Sequence, residues 1–350
     1  MQPKISLRQL LPSDGEAYAS LVANSPDTGR ISTAQHYNLD SYQALTAIHG
    51  DFVGVIAEQS GLKGFVGGGL IRFGECQFEG AIRPYAFLNT LVVHPDFRRQ
   101  GIASQLAKWR LEYARNKIGP DGIIWAIIQR GNIGSELTAR KWQGQFLQDR
   151  ILLIPLRPRN NSPHIIKDFR IGALPTNQLH LVSGQLNGFY QSFNMFTPKS
   201  ETEPADWCVS SPFNEPFRHL FIVRNAHDEI VAGLVLTETY KLRYMQIVKA
   251  PFIARMANRV LHVVPSDNIM REINLSHIWF VPSQINAARY LLETIRWEWR
   301  DKASSFIIWI DPICPFIELF NLRPWTLKTE TSIVLHSKIK MSEDKPVYYE

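Results

Sequence analysis

Residues 88–109 read LNTLVVHPDFRRQGIASQLAKW, and the fold can be worked outward from them. The apolar run ends at Pro95, which has no N–H for a ladder and so closes the strand. Gly101 and Ala103 then open an amphipathic stretch. In it Ile102, Leu106, Trp109 and Tyr113 step by 4, 3 and 4, one face of an α-helix. The amides of residues 99–104 are expected to project from that helix N-terminus, where intrahelical acceptors are missing and the helix dipole is positive. Arg98 and Arg99 add forked donors matched to phosphate. Glycine at 101 keeps a Cβ from holding a diphosphate away from the main chain. The pattern points to an anion site; taken residue by residue, it equally fits an ordinary turn with a solvated arginine pair.

A chain of 350 residues favours two domains over one. With 45% hydrophobic and 20% charged residues it is not a disordered protein. No stretch approaches the roughly 18 apolar residues of a membrane span, and the first residues lack the basic-then-apolar order of a secretory signal. A soluble cytoplasmic protein with no membrane partner is expected. Cys76, Cys208 and Cys314 lie far apart without metal-ligand spacing, which predicts reduced thiols and no metal. Residues 1–160 hold 18 Lys/Arg against 13 Asp/Glu, and the remainder 20 against 19. The positive excess thus belongs to the first half. No basic run interleaved with aromatics appears, which argues against nucleic acid and for an anionic ligand.

Pro155–Pro163, PLRPRNNSP, is the linker candidate, dividing the chain into 1–155, a linker 156–163 and 164–350. Before it, a strand at ISLRQL, helices near Gly15–Val22 and Leu39–Ile48 and a hairpin around QSGLK lead to the strand of the opening motif. A helix to about Asn116, the strand GIIWAIIQ, a helix from about Gly134 and the strand FLQDRILLI follow. Strands alternating with helices after a meander indicate a mixed α/β domain. The second half repeats the order. HLFIVRNAHDEIVAGLVL lies on DFVGVIAEQSGLKGFVGGGL without a gap. HIWFVPSQINAARYLLETIRWEWRDKASSFIIW echoes the motif region, with Ala288, Leu292, Ile295 and Trp299 in the same helical spacing. An internal duplication follows. In the second copy the arginine pair is missing, Ala287 replaces the glycine, the loop is one residue shorter and Ile285 stands where charge would be needed. No anion site is expected there. The unmatched YMQIVKAPFIARMANRVLHVVP predicts an apolar-periodic helix carrying Arg255 and Arg259, used for packing.

Arg98-Arg99-Gln100-Gly101-Ile102-Ala103 fits Arg/Gln-x-x-Gly-x-Gly/Ala after LVVHP, and with the order of elements over residues 4–155 this resembles the GCN5-related N-acetyltransferase (GNAT) family. The resemblance implies two tandem GNAT-like domains, each with a central, mostly antiparallel twisted sheet flanked by helices. It implies acetyl-CoA, or another acyl-CoA, as co-substrate. Arg98, Arg99, Gln100, Gly101, Ile102, Ala103 and Ser104 would cradle the diphosphate. Leu91, Val92 and Val93 would present main chain to the pantetheine and the acyl carbonyl, in a slot where strands splay. Asn132 would open the next helix beside that arm. The family's reaction is direct attack of an amine on the thioester.

Two positions depart from the family pattern. Asn89 stands where many members have a Glu base, and Ala139 where a Tyr acid is common. Asn89 as a water-ordering residue, Glu79 and Tyr85 are the candidate catalytic residues. Glu75 and His94 are further polar neighbours, and Glu79 and Glu75 are expected in an exposed loop, FGECQFEGAIRP. Some tandem members bring a terminal carboxylate into the site, a role that would fall to Glu350 with Tyr348 or Tyr349. Gly67-Gly68-Gly69 lacks a Gly-Lys-Ser/Thr ending and reads as a flattened or bulged strand rather than a phosphate loop. The leading reading is a tandem acyltransferase acting on a small-molecule amine. A protein amine as acceptor, or a non-catalytic CoA-binding regulatory or scaffolding role, are the competing readings.

Overall fold

The computed structural model describes residues 5–27, 32–141, 144–200, 207–249, 265–323 and 326–350. In the first half β1 (Ile5–Gln9), β3 (Phe52–Gln59), β4 (Gly67–Phe78), β5 (Ala81–Val93) and β6 (Ile123–Gln129) lie side by side in that order. Helices α1 (Gly15–Ala23) and α2 (Ser41–His49) come early, α3 (Ile102–Ile118) joins β5 to β6, and α4 (Ile133–Arg140) follows. The second half sets out β8 (Arg170–Ala173), β9 (Arg218–Arg224), β10 (Ile230–Thr237), β13 (Glu272–Phe280) and β14 (Ser305–Ile310) in the same sequence. The helix Ile285–Glu298 joins β13 to β14. Only β5–β6 and β13–β14 are parallel among the described strand pairs. The duplication read from the sequence is therefore a duplication of topology.

The halves are not merely juxtaposed. β15 (Thr329–His336), the last strand of the chain, pairs with β6 on one side and β7 (Gln145–Leu156) on the other. β7 in turn pairs with β14. Each half thus places its final strand against the other's central strand, and twelve of the described strands form one sheet. A second sheet of β12 (Ile269–Met270), β11 (Arg243–Lys249) and β2 (Ser32–Tyr37) also crosses between the halves. The expected helix with Arg255 and Arg259 lies outside the described residues.

Local chemistry explains these elements. β6 reads IIWAIIQ and is buried on both faces, hence its unbroken apolar run. The α2 N-cap is Asp40, whose side chain accepts from the Gln43 amide at 3.0 Å. α3 stops at Gly119, whose φ of 74° suits a glycine C-cap. The stretch FGECQFEGAIRP is not the expected loop: β4 runs through Glu75 to Phe78, and a tight hairpin turns at Glu79 and Gly80. Both have positive φ, 48° and 82°, as a two-residue hairpin turn of the primed type requires.

The three glycines of β4 run up to a bulge in its pairing with β5, where the register shifts after Gly69, and they also admit close neighbours. A Cβ at Gly67 would meet Ile102 and Leu106 of α3, and one at Gly68 would meet Tyr18 of α1. At Gly69 it would lie 3.0 Å from Arg110 Nε. Arg110 cannot retreat, because its guanidinium is buried and bonded to main-chain carbonyls of the facing strand. Gly69→Ala is therefore expected to cost about 1–2 kcal/mol of overpacking, seen as a lowered urea midpoint at unchanged slope.

Candidate active site

The parallel pairing of β5 with β6 covers only Tyr85–Phe87 against Ile123–Trp125. Beyond it the two strands diverge, so the β5 main chain from Leu88 to Val93 has no strand on that edge. A bulge lies at the point of divergence: the β4–β5 register shifts between Gly69 and Leu70, and Thr90 takes a φ of 40°. Asn89 holds this bulge, its Oδ1 accepting the Thr90 amide at 2.7 Å. Arg110 reaches it from α3, donating to the carbonyls of Asn89 (2.9 Å), Thr90 (3.3 Å) and Leu70 (3.3 Å). Burial pushes the Arg110 pKa down to about 10, so it stays charged at neutral pH.

At the far end of this slot the chain turns into α3. Arg99 and Gly101 both have positive φ, 64° and 80°, and the first main-chain bond of the helix runs from Gln105 N–H to Gly101 O. The amides ahead of it lack intrahelical acceptors, and a Cβ at Gly101 would meet nothing within 4 Å. That cradle suits a diphosphate. Arg99 is exposed and free to reach a ligand. Arg98 is committed elsewhere, donating to Val93 O and Pro26 O at 3.1 Å each, and so pins the loop to the strand end and to the segment after α1. Gln100 and Ser104 are exposed at the cradle, Ala103 is half-buried and Ile102 is a core residue. Asn132 caps α4 by accepting from Ser135 N–H at 3.2 Å.

The slot opens at Leu88–Thr90 into a cavity of about 400 Å³ between the halves. Glu350 projects into it, and into an adjoining cavity of about 380 Å³. The tail that delivers Glu350 is tied down repeatedly. Asp311 accepts from the Val347 amide (2.9 Å) and from Arg150 (2.7 Å), and Asn194 bonds the main chain of Pro346 and Tyr348. Tyr349 packs edge-on against Trp125 and Trp309, the matching residues of the duplicated Ile-Ile-Trp strands. Glu350 Oε2 lies 3.3 Å from the Tyr348 hydroxyl and 3.5 Å from His277 Nε2. Burial opposes its ionisation, yet positive groups around it, His277 when protonated and then Lys199, Arg72 and Arg218, hold its pKa at about 2.

Of the other sequence candidates, Asn89 lines the cavity beside the bulge, and Tyr85 lines the adjoining one. Burial raises the Tyr85 pKa, so the hydroxyl keeps its proton at neutral pH. Glu75 also lines the adjoining cavity. Glu79 does not border either one. Its carboxylate accepts from Asn194 (2.7 Å), the Ser342 amide (2.9 Å) and Lys345 (2.9 Å), and so seats the tail. His94 stays local, accepting from the Asp96 amide.

The second half retains the bulge and loses the slot. β13 shifts register between Gly233 and Val235, and His277, at the position matching Thr90, has a φ of 49°. Tyr190 fills the gap between β13 and β14, its hydroxyl donating to Ile278 O at 2.6 Å, and with Phe193, Phe316 and Tyr348 leaves about 10 Å³. The helix after Pro282 begins at Ile285, whereas α3 begins seven residues after Pro95. The loop is thus shorter by a helical turn rather than by one residue, and Ala287 is core.

His277 is buried, its Nδ1 within hydrogen-bond distance of Ser276 Oγ (3.0 Å) and Tyr348 OH (3.1 Å). Burial pushes its pKa down to about 4. The unfolded chain therefore binds a proton here between about pH 6.5 and 4 that the folded chain does not, and stability falls as pH drops through that window. His277→Gln is expected to shrink the stability difference between pH 7 and pH 5 by about 2 kcal/mol, measured by urea unfolding at both pH values.

Residues 24–144 match the model of the acetyltransferase (GNAT) family. No curated protein matches the chain. Among solved structures, a GCN5-related N-acetyltransferase from Sphaerobacter thermophilus superposes with a TM-score of 0.57 at 11% identity, covering 99% of this chain and 98% of that one. A tandem GNAT protein from the clavulanic acid biosynthesis pathway gives 0.58 at 10%, covering 97% and 100%. N-myristoyltransferase of Saccharomyces cerevisiae, with bound myristoyl-CoA, gives 0.66 at 9%, covering 98% and 84%. These likenesses concern the fold. No helix among the described residues is long and apolar enough to cross a membrane.

Proposed function

We propose, given that residues 24–144 belong to the acetyltransferase (GNAT) family, that the protein transfers an acetyl or other short acyl group from acyl-CoA to the amine of a small molecule. What supports this reading is the meeting of two features at Leu88–Thr90: a slot that ends in an open helix N-terminus, and a cavity holding a carboxylate. Bound acyl-CoA supplies the acyl group as an activated thioester. Gly101–Ser104 amides and Arg99 take the diphosphate, Leu91–Val93 offer main-chain groups to the pantetheine arm, and Asn132 borders it from α4. Arg98 orders the loop rather than touching phosphate.

The amine must lose a proton before it can attack. Glu350 is the carboxylate in the cavity, and His277 is neutral above about pH 4 and touches it. In this reading Glu350 binds the incoming ammonium, and the proton is lost to solvent before attack, because neither Glu350 at about 2 nor His277 at about 4 is basic enough to hold it. Asn89, which cannot take a proton, sets the bulge against which the acyl group rests. Tyr85 keeps a proton to return to the leaving thiolate.

Calorimetric titration with acetyl-CoA, followed by thiol release on adding a panel of small amines, tests the reading. Micromolar binding at one site per chain with amine-dependent release supports it. Binding without release for any amine favours a CoA-binding protein without transferase activity. Absence of binding overturns both.

A further inference from the structure

The cavity that faces the bulge is lined by three arginines from three different strands or strand starts, Arg72 on β4, Arg218 on β9 and Arg243 on β11, against a single ionised carboxylate, Glu350. Among the described residues none of the three has a carboxylate within 4.0 Å. Glu272 feels Arg243 only at longer range, and His49, also on the wall, is kept neutral at pH 7 by burial. Glu350 acts on Arg72 and Arg218 at longer range, but three buried cations against one carboxylate leave a surplus of positive charge that is costly without a further anion.

The three are not equivalent. Arg218 has spent its donors on the main-chain carbonyls of Trp207, Ser210 and Ala47 and lies over the Trp207 and Phe217 rings at 4.7 and 4.4 Å. It contributes field rather than contacts. Arg72 lies 5.8 Å from the Tyr85 centroid and 5.7 Å from that of Phe87 and shares a hydrogen bond with the Tyr85 hydroxyl, contacts that fix the guanidinium plane. Arg243 has one neutral partner, Gln35 Oε1 at 2.8 Å. The Nε atoms of Arg72 and Arg243 are both buried with no hydrogen-bond partner among the described residues. Arg72 and Arg243 thus present charge to a cavity whose opposite pole is Glu350.

We propose that the acceptor is an amine that also carries an anionic group, a carboxylate or a phosphate. The ammonium is drawn to Glu350, and the anion is taken by Arg72 and Arg243. A cavity of about 400 Å³ restricts it to a small molecule of amino-acid size or slightly larger. This rests on the acyl-transfer reading for the reaction, but the charge preference of the cavity is a separate property and is tested separately.

The test compares matched amines with acetyl-CoA: L-phenylalanine with phenethylamine, L-leucine with isoamylamine, and phosphoethanolamine with ethanolamine. The expected result is kcat/KM at least about tenfold higher for anionic members, with the carboxylate and phosphate arms identifying which anion is preferred. Arg72→Met and Arg243→Met together should raise KM for the anionic members about tenfold or more, with acetyl-CoA affinity within about twofold. Equal turnover of neutral partners overturns the inference. If no amine turns over, calorimetry with N-acetyl-L-phenylalanine against its amide decides: selective binding of the acid that is lost in the double variant upholds the anion site, and no preference overturns it. Failure of acetyl-CoA to bind would instead strike the transferase reading alone.

Discussion

Gly101→Asp is expected to lower acetyl-CoA affinity at least about 100-fold, close to 2.7 kcal/mol, without unfolding the protein. A side chain added here meets no neighbour, because the space around the position is empty. Asp also tolerates the left-handed region, here a φ of 80°, better than most residues. What changes is the sign of the charge at a helix N-terminus whose dipole favours anions. A carboxylate there accepts the amide donors itself and repels a diphosphate. Titration calorimetry reads the loss, and an unchanged melting temperature separates it from misfolding. Affinity within threefold of wild type would place the diphosphate elsewhere and sink the assignment of Arg99–Ser104.

Glu350→Gln should reduce kcat/KM for the amine by about 100-fold while leaving acetyl-CoA affinity intact. The substitution keeps shape and leaves the tail anchors at Asp311, Asn194 and Tyr349 untouched, so the residue's charge is what is removed. Because the surroundings hold this carboxyl at about 2, it stays ionised throughout the working range. The rise of kcat/KM with pH should therefore follow deprotonation of the amine, and the Gln variant should show the same limb at lower height. A variant with wild-type kcat/KM would show that the ammonium is held elsewhere than at Glu350.

The motif strand, the turn and α3 were legible because their signals are local: a proline that ends a ladder, a glycine at a positive φ, and apolar residues at helical spacing. The repeat was legible for a related reason, since both copies need the same core spacing to pack their helices. The cavity was not. Arg72, Arg218 and Arg243 stand far apart in sequence and read as ordinary strand arginines, and only the pairing of strands across the halves brings them to one wall. Arg110 likewise reads as a solvated helix residue until Gly69 is seen to make room for it. Glu350 entered the sequence reading only through a family habit, and its anchors, Arg150, Asn194 and Asp311, carry no pattern that links them. Glu79 was singled out for its carboxylate; the hairpin turn that holds it directs that carboxylate to the tail instead.

The traded final strands have a consequence for how the chain reaches this state. β6 emerges early in synthesis, yet its partner Ile333 sits opposite Ile127 from more than two hundred residues downstream. Until β15 arrives, the edge of β6 is an unpaired apolar template, the kind of surface that recruits neighbouring chains. Closing so long a loop late also makes folding slow relative to the chain's local contacts. A nascent chain halted near residue 320 would therefore carry a finished Arg99–Ser104 turn on a sheet that has not closed, and a chaperone that shields that edge would set the yield of the folded protein.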